Sequence, residues 1–114
     1  MGRERDARLE IPPGTLYLLI LYTLDRLGPM HGYGIAQHIQ KTSDDVLQIE
    51  EGSLYPALQR MLIRGWVKAE WGQSDNNRRA RYYHLTPPGK KQLGVEMSEF
   101  RRAFAAILRV IQPA

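Results

Sequence analysis

The amino-acid sequence predicts a mainly α-helical domain with one small β-hairpin, extended by a long C-terminal helix. Three observations predict it. Apolar residues recur at helical spacing in three stretches before residue 65. After Gly65 the pattern changes to two short aromatic-rich runs separated by turn formers, and beyond Pro88 it settles into a heptad. A chain of 114 residues, 43% of them hydrophobic, can build one modest core and therefore one domain.

Taken in order, residues 1–10 alternate charge without an apolar face and are expected to be a flexible, solvated tail. Ile11 to Thr15 reads as a helix entry with Thr15 as N-cap, and a first helix follows to about Leu27. Its residues Leu16, Leu18, Leu19, Ile20, Leu21, Leu24 and Leu27 cover more than one stripe. A helix so nearly apolar all round must be covered on several sides, which in a small domain suggests a second copy, contacted by Leu16 and Leu19. Gly28 to Gly32 is a tight connection. A second helix from Tyr33 to Lys41 turns Ile35, Ala36 and Ile39 inward, and its first-turn N–H groups are suited to a phosphate. Thr42 to Asp45 is a polar turn, and Val46 to Ile49 a short strand.

The stretch Glu51 to Gly65 reads as a third helix with two incompatible faces. Leu54, Ala57, Leu58, Met61 and Leu62 form an apolar stripe, and Gly65 ends the helix where a left-handed residue is wanted. The other side collects Ser53, Pro56, Gln59, Arg60 and Arg64, with Tyr55 at the flank: hydrogen-bonding and cationic groups that suit phosphates and base edges. Because proline lacks an N–H, Pro56 is expected in the first turn, with Ser53 as the N-cap.

Trp66–Trp71 and Arg81–Leu85 then read as the strands of a hairpin whose long basic tip, residues 72–80, carries Arg78 and Arg79. Tyr82 and Tyr83 must point to opposite faces, so one packs inward. Trp66 and Trp71 are expected to pack the hairpin and core. Thr86 caps the last helix, with Pro87 in its first position. That helix runs to about Ile111, and Leu93, Met97, Phe100, Phe104, Ile107 and Ile111 follow at spacings of 4, 3, 4, 3 and 4, a heptad seam suited to dimerisation. Three helices and a hairpin are the order of a winged helix-turn-helix domain, here residues 11–86, with the hairpin as wing and residues 87–112 as a dimerisation helix.

The net charge of +4 is unevenly spread. Residues 52–91 carry eight Lys/Arg against two acids, a local +6, whereas residues 1–51 carry five against eight, a local −3. A polyanion-binding surface therefore belongs to the third helix and the wing. The sequence has no cysteine, which removes disulfides and cysteine-bound metal centres. His31, His38 and His84 fall in separate elements without metal-ligand spacing, and Asp44, Asp45, Glu50 and Glu51 read as a turn and a helix start rather than a nuclease's metal site. No nucleophile motif or phosphate-cradling glycine loop is present, so neither catalysis nor a cofactor is expected. The N-terminal residues are charged and the apolar run Leu16–Leu24 is too short to span a bilayer, so no membrane association and a cytoplasmic location are expected.

Taken together, Gly14-Thr15-Leu16, His31-Gly32-Tyr33-Gly34-Ile35, Gly52-Ser53-Leu54-Tyr55-Pro56-Ala57-Leu58, Gly65-Trp66-Val67 and Arg78-Arg79-Ala80-Arg81-Tyr82-Tyr83 running into Leu85-Thr86-Pro87-Pro88-Gly89 resemble the PadR family of transcriptional regulators, in the short form with one C-terminal helix. The resemblance covers roughly residues 11–93. It implies a winged-helix homodimer that binds double-stranded DNA at pseudo-palindromic operators, usually as a repressor. In some members phenolic acids, drugs or other small molecules release the DNA, so an effector is a further partner that the resemblance allows. It also implies that the third helix enters the major groove and that Arg78, Arg79 and Arg81 approach the backbone or minor groove. The expected DNA-binding set is Tyr33, Ser53, Tyr55, Pro56, Gln59, Arg60, Arg64, Lys68, Arg78, Arg79 and Arg81. Multidrug-sensing members stack planar ligands on a tryptophan of the last helix, where this chain has only Phe100 and Phe104. The competing reading is a winged-helix protein-interaction module that never touches DNA, against which the basic wing argues.

Overall fold

The computed structural model describes residues 8–113. The elements are β1 (Leu9–Glu10), α1 (Leu16–Leu27), β2 (Met30–His31), α2 (Gly32–Thr42), β3 (Leu47–Gln48), α3 (Glu51–Ile63), β4 (Val67–Gln73), β5 (Arg79–Leu85) and α4 (Pro87–Ile111). The three helices before Gly65, the hairpin and the long last helix stand where the sequence put them. Two short strands were not anticipated. Leu9–Glu10, assigned to the charged tail, pairs in parallel with Leu47–Gln48. Met30–His31, read as a tight connection, adds a third strand to the hairpin in the order β2-β5-β4, with Met30 opposite Tyr83 and His31 opposite Tyr82. Two-residue strands carry too little alternation to be seen in a sequence.

The core is centred on Ile20, Leu21, Ile35, Leu54, Leu58 and Met61, all fully buried, and Val67, Tyr83 and Leu93 close it from the wing and α4. The residues expected at the dimer seam differ in burial. Leu93 is buried in its own domain, and Leu16, Leu19 and Met97 pack half-buried against the same core. Phe100, Phe104, Ile107 and Ile111 are 41 to 68% exposed. The heptad therefore runs from an intramolecular contact into an uncovered stripe along one helix.

Helix entries follow local chemistry, with two departures from expectation. Thr15 stands at the start of α1, but its hydroxyl donates backward to the Pro12 carbonyl at 2.7 Å rather than accepting from the first turn. α3 begins earlier than its proline suggested: Glu50 is the N-cap, Ser53 lies within the first turn, and Pro56 is inside the helix. Pro56 there removes the donor that would bond the Gly52 carbonyl. Gly52 is exposed, with nothing within 4 Å of where its Cβ would stand, so water can replace that donor and the proline is tolerated. The helix ends as expected at Gly65, with φ +76°. The turn after α2 holds Asp44 and Asp45 at positive φ, with Asp45 accepting from the Gln40 amide at 3.2 Å.

The wing base and the start of α4 are bolted together. Thr86 Oγ1 accepts from Gly89 N at 3.1 Å and donates to the Gly65 carbonyl at 2.6 Å, while Thr86 N donates to the Trp66 carbonyl at 3.1 Å. A Cβ at Gly89 would stand 2.0 Å from that Trp66 oxygen, so no side chain fits. Lys90 then pairs with Asp25 of α1 at 2.6 Å.

Candidate nucleic-acid interface

The hairpin is tighter than its sequence suggested. Each strand continues two residues farther, leaving Ser74–Arg78 as the turn, closed by Ser74 N to the Arg78 carbonyl at 2.8 Å and by Asn77 at φ +61°. Of the three wing arginines only Arg78 is in the tip; Arg79 and Arg81 are strand residues. Two apart, they share a face with Tyr83 and, across the ladder, with Gln73, Trp71 and Ala69. At the base this face is core, where Val67 and Tyr83 are buried. Towards the tip it leaves the core and becomes the wall of a groove.

That groove, about 840 Å³, is lined by His31, Tyr33 and Gln37 from α2 and its cap, by Tyr55 from α3, and by Trp71, Arg78, Arg79 and Arg81 from the wing. Its geometry is held from below. His31 Nδ1 accepts from Gly34 N at 3.0 Å, capping α2, and its ring lies edge-on to Tyr82 at 5.4 Å and beside Tyr33 at 6.4 Å. Tyr55 rests on Gly32, whose missing Cβ would stand 2.7 Å from the ring. Burial, then the nearby Glu51 carboxylate and Tyr83, push the Tyr55 hydroxyl above its ordinary pKa of 10.0, so it stays a neutral donor. Trp71, expected to be packing, is 60% exposed, and the Arg79 guanidinium lies over its ring at 4.5 Å.

The other expected residues divide by their position round α3. At about 100° per residue, Pro56, Gln59 and Ile63 point away from the core, Tyr55 leans towards the wing groove, and Ser53, Arg60 and Arg64 lie on the opposite flank. There Gly52, Ser53, Pro56 and Arg60 border a second depression, of about 470 Å³, shared with Pro12, Pro13 and Gln48. Arg60 and Arg64 reach back towards Tyr17 of α1 and Trp66. Lys68 does not join either group. It alternates onto the outer face of the wing with Glu70, Tyr82 and His84, where Glu70 and His84 approach to 3.0 Å. Lys90, part of the local +6, is occupied by Asp25.

The groove thus joins Tyr33, Tyr55, Arg78, Arg79 and Arg81, five of the eleven expected residues. Trp71, His31 and Gln37 were missed. Trp71 could have been found: with the tip read as a tight turn, strand alternation puts it opposite Arg81. Among the described residues no helix is long and apolar enough to cross a membrane, and no group of His, Asp or Glu is arranged to hold a metal.

A helix flanked by an arginine-bearing hairpin, on a three-helix core with a long trailing helix, defines a winged-helix protein. Comparison with known proteins places it more closely. Residues 20–95 match the model of the transcriptional regulator PadR-like family, and the chain belongs to that family, one of transcriptional regulators rather than enzymes. Among solved structures it is similar to a transcriptional regulator from Clostridium thermocellum (28% identity, TM-score 0.79, covering 87% of this chain and 95% of that one). It is likewise similar to a PadR family transcription regulator from Clostridium difficile (28%, TM-score 0.72, 86% and 99%). An uncharacterized protein of Lysinibacillus sphaericus is 30% identical over 81 residues, 71% of each chain.

Proposed function

We propose that the protein is a homodimeric, sequence-specific DNA-binding repressor acting on a pseudo-palindromic operator. The observation that carries this reading is the convergence of Tyr33, Tyr55, Arg78, Arg79 and Arg81 on one groove beside the outward face of α3. Seated in a major groove, α3 offers Gln59 to base edges, where an amide pairs with adenine N6 and N7. The wing arginines and the tyrosine hydroxyls then grip the adjoining phosphates, which fixes register without reading sequence.

Dimerisation is supported by the stripe of Phe100, Phe104, Ile107 and Ile111, which stands exposed among the described residues. A second copy of α4 is the cover a heptad spacing fits. Phe100 and Phe104 lie parallel at 5.8 Å and would wall any slot for a planar effector between protomers. Such a regulator works in the cytoplasm, beside its DNA.

The test is selection of bound sequences from a random DNA pool, followed by titration across a salt series. A two-fold symmetric site and an affinity that falls steeply with salt are expected. Gln59→Ala should relax preference at one base pair per half-site, at a cost of about 1–3 kcal/mol. A flat titration with every sequence would instead favour a protein-interaction module.

A further inference from the structure

The flank of α3 away from the wing carries an arrangement that the DNA-binding reading does not by itself require. Arg60 and Arg64 stand one turn apart on the same helix face, a like-charge pair that repels. Neither meets a carboxylate among the described residues, where the ion pairs are Glu70–His84 and Asp25–Lys90. Aromatic rings hold them instead. The Arg60 guanidinium lies 5.6 Å from the Tyr17 ring centre, and that of Arg64 lies 5.9 Å from Tyr17 and 5.0 Å from Trp66. Tyr17 and Trp66 brace each other edge to face at 5.3 Å. Arg60 Nε donates to the Tyr17 hydroxyl at 2.6 Å, which orients the guanidinium and leaves its two Nη groups without a hydrogen-bond partner among the described residues.

We propose that Tyr17 and Trp66 are positioning residues which orient Arg60 and Arg64 as a second phosphate grip, on the DNA strand across the major groove from the wing. The proposal rests on the DNA-binding reading and deepens it. Five residues separate Tyr55 from Arg60, which turns them about 140° apart round the helix axis. A helix about 10–12 Å across fills a major groove about 12 Å wide, so its two flanks meet the two phosphate strands. The wing groove serves one wall; the aromatic-braced arginines serve the other. Arg60, held through its Nε, and Arg64, held against the Trp66 ring, present their Nη groups to a phosphate with less side-chain freedom left to lose. Two adjacent cations that form no ion pair among the described residues repel each other in the free protein, and a polyanion relieves that repulsion.

The test uses the full chain and an operator taken from the selection. Arg60→Ala with Arg64→Ala should flatten the slope of log affinity against log salt by about 1.8, about 0.9 for each lost phosphate contact. Phosphate-ethylation interference should lose its marks on one strand wall, while Arg79→Ala with Arg81→Ala loses them on the other. Tyr17→Phe keeps the ring and removes only the acceptor. It should weaken binding about threefold to tenfold in the natural background, because the freed Arg60 side chain must then be ordered on binding, and not at all when Arg60 is already alanine. An unchanged slope in the Arg60/Arg64 variant overturns the proposal while leaving the wing reading intact, as does loss of the same phosphates in both variants. An equal effect of Tyr17→Phe with and without Arg60 overturns the positioning role. Absence of binding to any sequence by the unaltered protein overturns the DNA reading and this proposal with it.

Discussion

Gly89 and Gly94 lie five residues apart in α4, and alanine at each should move stability in opposite directions. Neither glycine has a positive φ, so the difference is one of space alone. At Gly94 nothing lies within 4 Å of the added Cβ, and alanine gains the usual helix-interior advantage of about 0.5–1 kcal/mol. At Gly89 the Cβ would stand 2.0 Å from the Trp66 carbonyl oxygen and 2.8 Å from Leu85 Cδ1. Relief requires α4 to lift from the wing base, and the gap that opens is the one spanned by the Thr86–Trp66 and Thr86–Gly65 hydrogen bonds. Overpacking of this kind costs about 1–3 kcal/mol and a disrupted N-cap about 1 more, so roughly 2–4 kcal/mol is expected. Against a total stability of about 5–15 kcal/mol this is a large fraction. Far-ultraviolet circular dichroism melts at one fixed protein concentration provide the assay, since melting of an oligomer depends on concentration. Gly89→Ala should melt on the order of 10 °C lower and Gly94→Ala a few degrees higher. Equal melting temperatures for Gly89→Ala and the unaltered chain would refute the bolted joint.

Three further outcomes follow from the same geometry. Phe104→Glu, at a side chain 52% exposed and outside the core, should leave the domain folded but convert the proposed dimer to monomer, read by light scattering after size exclusion. Gly32→Ala pushes against the Tyr55 ring, a movable side-chain end, and should weaken DNA binding severalfold while leaving the melting temperature within a few degrees. Because the Tyr55 pKa is raised on folding by burial first, its contribution to stability is complete below the ordinary value of 10.0 and is lost as pH rises through the higher folded value. In melts taken from about pH 9 upward, Tyr55→Phe should remove that part of the alkaline decline; an identical profile would count against the burial.

The parts of this fold legible in the sequence were those with many residues of one period. Leu54, Ala57, Leu58 and Met61 announce the inward face of α3, and all four are buried. Thr86 followed by two prolines announces the start of α4, and the hydroxyl caps it. What escaped was set by pairing at a distance. His31 looks like a loop residue until Tyr82 lies beside it, and Leu9 looks like tail until Leu47 does. Pro56 misled for a related reason: the rule that proline belongs in a first turn assumes that the orphaned carbonyl would be buried, whereas Gly52 leaves it open. In the site, residue type was a sound guide to surface charge but not to direction. Lys68 and Arg81 both sit in wing strands, yet alternation sends them to opposite faces. Arg60 was assigned a DNA contact from its charge, but only coordinates show the Tyr17 hydroxyl that fixes how its guanidinium points.

The joint at Gly89 bears on the proposed DNA recognition although Gly89 does not line the wing groove. α4 is 25 residues long, about 37 Å, and only its first turns are buried, through Gly89 and Leu93. Thr86, the close approach at Gly89 and the Asp25–Lys90 pair fix the angle at which it leaves the domain. In the proposed dimer the uncovered half of α4 meets its counterpart, so that exit angle and the length of the rod fix the separation of the two α3 helices. Operators accept such a pair only when the separation is close to one turn of duplex, roughly 34 Å, or a multiple of it. A small tilt at the base of the rod is magnified along its length. Substitutions at the joint that preserve folding should therefore shift the preferred half-site spacing without altering the bases chosen within each half-site, because in the proposed complex the joint sets distance and α3 reads sequence.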